Sequence, residues 1–331
     1  MIKLYSSLIR AFLLLPMVLL LCGCQAEEKS DPGAENEKNM QENIQTVTEG
    51  IQSSVEDYPA SGAVTVMPEE AVTAAPLSLI NSTGMTLETR INPPEGYTRI
   101  PSEEGEFTGF VRSLRLKEDG SEVLLYDGSP KSYQDGHVAV FELDTGSKDL
   151  QQCADSIIRI YAEYYWSIEA YDKIDFHLTN GFLMEYTKWR DGYRIEVDGN
   201  EVSWVKKADY DASYEVFRKY LESVFMYAGT LSLSAECSEI TIQELLTGDM
   251  LLYGGSPGHC VLVVDMAEDA QGNKCYLLAQ GYMPAQDFHI LKNPLHEEDP
   301  WYYASEITYP LRTPQWTFED GSLVRWDGLN Y

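Results

Sequence analysis

The run His259-Cys-Val-Leu-Val-Val-Asp-Met-Ala267 is followed, after Glu-Asp-Ala-Gln-Gly-Asn-Lys, by Cys275-Tyr-Leu-Leu-Ala-Gln-Gly-Tyr282. Two apolar runs on either side of a turn-forming stretch predict a hairpin whose strands enter the core. Whatever else the chain does, it has to cover this hairpin. A turn centred between Ala270 and Gln271 puts His259 opposite Tyr282. Gln280 then falls one pair further in on the same face, because same-face positions repeat every two residues. His259 follows Gly254-Gly-Ser-Pro-Gly258, so it stands where a strand meets solvent, a place suited to a general base. Glycines such as Gly258 beside it let a substrate backbone approach closely. The Gln280 amide is placed to hold the imidazole in one tautomer, and Gln286 is the second choice. Asp265 shares the same face in a regular strand, but roughly 20 Å along it, too far to orient the ring.

The clearest helix is Ser147-Lys-Asp-Leu-Gln-Gln-Cys-Ala-Asp-Ser-Ile-Ile-Arg-Ile-Tyr-Ala-Glu-Tyr-Tyr-Trp166. Ala154, Ile157, Ile158, Tyr161, Ala162 and Tyr165 recur at helical spacing and form one stripe. Asp149 as N-cap with Gln152 at the third helical position places Cys153 in the first turn. There the unpaired N–H groups and the helix dipole favour a thiolate, which is the reactive form of cysteine. Cys237 in a loop, Cys260 facing away from His259, and Cys275 opening a core strand are weaker nucleophiles. In an exported chain these four cysteines could also form two disulfides, with three pairings open. No C-x-x-C or H-x-x-x-H spacing occurs, and His259 and Cys260 point to opposite faces, so neither a metal nor another cofactor is expected.

Around these elements, residues 97–143 read as short antiparallel strands between turns, and 174–206 as further strands ending in the hairpin YRIEV-DGNE-VSWVK. A second helix is expected over Asp211–Tyr227 with Gly229 just past its end, and a short third from Thr241, capped through Glu244, to Gly248. The tail after Pro294 wraps the surface, with Trp301, Tyr302, Tyr303, Trp316 and Trp326 as core and rim packing. His137 and His177 belong to sheet surfaces, while His289 and His296 look incidental.

The chain starts MIKLYSSLIRAFLLLPMVLLLCGC: basic residues, then an apolar run of signal-peptide length, too short to span a bilayer. Its end, Leu21-Cys22-Gly23-Cys24, resembles the lipobox of bacterial lipoproteins, which implies cleavage before Cys24 and acylation of its thiol. Residues 1–23 are thus expected to be a signal peptide and 24–84 an acidic disordered tether, poor in the apolar side chains that folding requires. Residues 85–331 remain for a single α+β domain, with a β-rich part at 85–145 and the rest at 146–331. A net charge of −29, from 53 acidic and 24 basic side chains, argues against nucleic acid as a partner.

Thiol, histidine and amide occur in the chain order of papain-like cysteine hydrolases. The run of Gly-Asp, apolar strand, loop, Gly-His and apolar strand is similar to the NlpC/P60 and CHAP families of cell-wall peptidases and amidases. That resemblance implies a papain-like fold: a helix packed on an antiparallel sheet, with an added N-terminal β region and an inserted hairpin-and-helix segment. It implies Cys153 as nucleophile, His259 as base and Gln280 as orienting residue. Gln151 or Gln152 with a main-chain N–H would hold the oxyanion, with Gly258, Tyr282 and Gln286 near the substrate. LQQCAD, YAGT-SL, GGSPGH and AQGYMPAQ also resemble a bacterial lipoprotein family of the domain-of-unknown-function kind. Two functions are consistent with these features. One is a lipoprotein of the cell envelope, anchored through Cys24, that hydrolyses an amide in peptidoglycan or another envelope peptide. The other is a non-catalytic lipoprotein of the same fold that binds a ligand or partner.

Overall fold

A computed structural model describes residues 78–329, and the expected signal peptide, Cys24 and nearly all of the expected tether lie outside them. The architecture is mixed α+β with antiparallel strand pairing. Packing begins ahead of Met85, where Ile80 bridges Ile91 and Leu79 contacts the core.

One nine-stranded sheet organises the domain. Its strands are β1 (Tyr97–Arg99), β2 (His137–Val140), β3 (Cys237–Glu239), β4 (Met250–Tyr253), β5 (His259–Asp269), β6 (Lys274–Gln280), β7 (His289–Leu291), β8 (Tyr302–Tyr303) and β9 (Leu323–Trp326). The order across it is β2-β7-β6-β5-β4-β9-β3, with β1 added to the far end of β5 and β8 to β6. The expected hairpin is therefore central, with both faces buried. Cys260, Leu262 and Val264 face one core, and Val261, Val263 and Met266 the other.

The β5–β6 register changes along its length. Near the turn Lys274 lies opposite Glu268 and Leu277 opposite Asp265; beyond it Leu278 lies opposite Val263 and Ala279 opposite Leu262, so Val264 is an extra, bulged residue. Without the bulge, Gln280 would oppose Leu262 and point away from His259. A bulge reverses the facing of everything beyond it. Asp265 therefore leaves the face of His259, contrary to simple alternation. It is buried in ion pairs with Arg99 (2.6 Å) and Arg112 (2.7 Å).

Four helices are used below: α1 (Phe107–Ser113), α2 (Cys153–Ser167), α3 (Tyr214–Phe225) and α4 (Thr230–Ala235). The whole apolar stripe of α2 is buried against the Cys260 face of β5. Ile157 and Ile158 each contribute about 1.5–3 kcal/mol by their burial. Tyr161 stacks on Trp326 at 4.6 Å and donates to the Gly248 carbonyl at 2.7 Å, tying the helix to β9 and to the entry of its neighbour β4. The helix stops where Glu169 takes a positive φ of 59°.

Several expected strands are helical instead. Phe107 and Val111, one turn apart, make α1 an amphipathic helix that packs on Tyr161 and Tyr164. In the inserted segment Leu183–Glu185 is a strand, but Tyr186–Arg190 forms a helical turn because Tyr186 and Trp189 both turn inward. The 193–198 and 201–206 hairpin forms as expected, with Gly199 at φ 61° in its turn. Helix α3 starts at Ser213, whose hydroxyl accepts from Val216 N, and Gly229 is the N-cap of the unexpected α4. The third helix is only a 3-10 turn over Ile242–Glu244. Its cap from Thr241 to Glu244 is present, but Leu245 turns extended and sinks into the second core. That second core is covered by the tail through Tyr302, Leu311 and Phe318, while Trp301 and Trp326 lie in the first.

Candidate functional site

Helix α2 begins on Cys153 itself; its N-cap is Gln152, with extended backbone. This corrects the assignment of Asp149 as cap. The Asp149 carboxylate instead accepts from Gln152 Nε2 (3.0 Å) and Ala285 N (2.7 Å), pinning the approach to the helix onto the chain that follows β6. Asp155, at the third helical position, takes the N–H of Gln152 at 3.1 Å. The Cys153 N–H thus belongs to the first turn, which has no intrahelical acceptor to offer it.

His259 opens β5 and is almost fully buried. Its Nε2 lies 2.8 Å from Gln280 Oε1. Tyr282 meets the ring edge-on at 4.9 Å, Trp316 lies at 5.1 Å and Phe318 at 6.0 Å, so the imidazole is walled by aromatics.

The orientation of Gln280 follows from its other neighbours. Its Nε2 donates to Gln315 Oε1 at 2.9 Å and is 3.4 Å from His289 Nε2. His289 Nδ1 lies 2.8 Å from the carbonyl of Asp287, which can only accept, and burial holds the His289 pKa well below the ordinary range. His289 is therefore neutral, with a lone pair on Nε2. Both amide hydrogens of Gln280 then have acceptors, so Oε1 faces His259, and His259 carries a proton on Nε2. The other ring nitrogen, Nδ1, is left for Cys153. His289, which looks incidental in sequence, is part of this arrangement; only its buried position in a paired strand reveals it.

The electrostatics of Cys153 follow from what surrounds it. Hydrogen bonding with Cys260 first, and then with His259, together with the His259 charge and the Ala154 N–H, pulls the Cys153 thiol down to about 4 although burial opposes this. Cys260 does point away from His259, toward the helix, but that direction brings it to the Cys153 sulfur. Burial pushes the thiols of Cys260 and Cys275 up, and that of Cys237 to about 12. All four are free thiols, without the disulfides the sequence allows. The Asp155 carboxyl is raised well above its usual range, by burial first and by the neighbouring Cys153 charge as well.

Beside Cys153 lies a cleft of about 350 Å³ whose lining includes Gln152, Asp155, Thr230, Gly258, Leu231 and Met283. Gly258 is required there: a Cβ would sit 2.1 Å from Thr230 Oγ1 and 2.7 Å from Gly255 O. Gly281 matters equally and was missed in the sequence. A Cβ at Gly281 would sit 2.3 Å from Ser156 Oγ and 2.9 Å from Gln152 O, so its absence lets the first turn of α2 descend onto the end of β6. Of the expected oxyanion donors, Gln152 has its amide on Asp149. Gln151 is buried with Oε1 on Arg159 (2.9 Å) and Nε2 unpartnered. Gln286 is buried, its Nε2 also unpartnered, and the contact to the His259 ring is made by Gln280.

Fold and site together define an α+β domain in which a helix-initial cysteine meets a strand-initial histidine oriented by a glutamine. Residues 87–325 match the family described as Domain of unknown function (4846), and the chain belongs to that family. No curated protein and no solved structure matches it. Among the described residues no helix is long and apolar enough to cross a membrane.

Proposed function

We propose that this protein is a papain-like thiol hydrolase, anchored in the bacterial cell envelope through a lipid on Cys24, that cleaves an amide bond in peptidoglycan stem peptide or another envelope peptide. The observation that carries the reading is the convergence of Cys153 at a helix start, His259 beside its sulfur and Gln280 Oε1 at 2.8 Å from His259 Nε2. In this reading His259 Nδ1 takes the thiol proton and the thiolate attacks the substrate carbonyl carbon. The Cys153 N–H and the helix dipole stabilise the oxyanion. His259 then protonates the leaving amine, and water, deprotonated by the same ring, hydrolyses the thioester.

The test is to incubate the mature chain with stem peptides and with a peptidyl epoxide, following new amines and covalent adducts by mass spectrometry. Cleavage or a Cys153 adduct that disappears in Cys153→Ala and falls at least 100-fold in His259→Ala supports the hydrolase. Binding of stem peptide with no cleavage and no adduct would instead favour the ligand-binding lipoprotein.

A further inference from the structure

Lys131 lies outside every motif, in the segment between β1 and β2, yet it is only 8% exposed. Its Nζ is 2.5 Å from Gln315 Oε1 and 5.8 Å from the centre of the Tyr282 ring. Among the described residues no carboxylate forms an ion pair with it. His137 and His289 also lie close enough for its charge to act on them, and both are themselves pushed toward neutrality, mainly by burial. A buried ammonium without a counter-ion is costly, and burial lowers its pKa to about 8.

We propose that Lys131 is a positioning residue for the Cys153–His259 pair: by holding Gln315 it fixes the amide of Gln280 and thereby the tautomer of His259. The inference rests on the thiol–imidazole reading above. The charged lysine head has donors only, so a flipped Gln315 would turn its own NH2 against Nζ. Gln315 Oε1 is therefore kept where it accepts from Lys131 and Gln280 together. Gln280 must then present Oε1 to His259, which keeps its proton on Nε2 and leaves Nδ1 to the sulfur. The ammonium head over Tyr282 also steadies the ring that lies edge-on to His259.

The test uses the full chain and follows iodoacetamide labelling of Cys153 against pH, with the His259 tautomer read from ring ¹⁵N shifts. The groups facing the sulfur are His259, Cys260, Asp155 and Tyr282, and all are kept in the Lys131 variants. In Lys131→Met the labelling midpoint moves up by about one pH unit, the scale of one lost hydrogen-bond preference, and the neutral His259 tautomer with its proton on Nδ1 becomes detectable. In Lys131→Arg, another donor-only cation, midpoint and tautomer stay in place. A Lys131→Met profile that overlays the native one, even with a lowered melting temperature, overturns the proposal. Should His259→Ala also leave the midpoint in place, the thiol–imidazole pair is refuted and this inference falls with it; a shift in His259→Ala alone refutes only the role of Lys131.

Discussion

Removing the two groups that hold the Cys153 thiolate should make the pH–rate curves of native and variant proteins cross. In a His259→Ala/Cys260→Ala double variant the sulfur loses both hydrogen bonds that pull its pKa down to about 4. Its titration should return toward the ordinary thiol value of ~8.5. At pH 5 about nine-tenths of the native sulfur would be thiolate, against about one part in 3,000 in the variant, a ratio of ~3,000. A low-pKa thiolate is also a poorer nucleophile: with a Brønsted coefficient of ~0.45 over ~4.5 units, it loses ~100-fold in intrinsic rate. Native Cys153 should therefore react with iodoacetamide about 30-fold faster at pH 5, the curves should cross near pH ~6.5, and the variant should be on the order of 50- to 100-fold faster at pH 9. Labelling resolved by peptide mass spectrometry separates Cys153 from the other thiols, and far-ultraviolet circular dichroism checks that the variant is folded. Parallel curves, or a native midpoint near that of an ordinary thiol, would refute the argument.

Three further outcomes follow from other parts of the domain. Gly281→Ala should force the first turn of α2 off the sheet, costing about 1–3 kcal/mol in urea unfolding and abolishing the low-pH reactivity of Cys153. Asp265→Asn leaves Arg99 and Arg112 without their shared carboxylate in a buried site, so a loss of about 3–5 kcal/mol is expected, seen as a lower urea midpoint. Asp155 is raised by burial, so the folded state keeps a proton that the unfolded chain releases near pH ~4, and native stability falls as pH climbs from there through the raised value. Asp155→Asn, which keeps an oxygen for the Gln152 N–H, should therefore raise the melting temperature at pH 7 by about 2–4 °C per kcal/mol recovered, and raise it less at pH 4.

The legible parts of the site were those governed by short-range pattern. The stripe from Ala154 to Tyr165 announced a helix, and alternation in CVLVV and CYLLAQ announced the hairpin, so Cys153, His259 and Gln280 could be named from order and spacing. The bulge at Val264 was not legible, because nothing in Val-Val-Asp distinguishes a bulged residue from a regular one. The turn actually spans Asp269 to Asn273, half a residue off the assumed centre, and the bulge makes up the difference on the His259 side. Phe107 and Val111, spaced for a helix, were lost among turn residues. Lys131, Gln315 and His289 were invisible for another reason: each is unremarkable in its own segment, and only long-range folding brings them together.

That last point bears on the life of the chain before it folds. The hydrogen bond from Lys131 to Gln315 spans 184 residues and that from His259 to Gln280 spans 21, and both α2 and β7 lie in the chain between Lys131 and Gln315. No short fragment holds both Cys153 and the His259 and Cys260 side chains that acidify it. Before the chain folds, Cys153 is therefore an ordinary, sluggish cysteine, and it acquires its acidic character only when β5 has closed against α2.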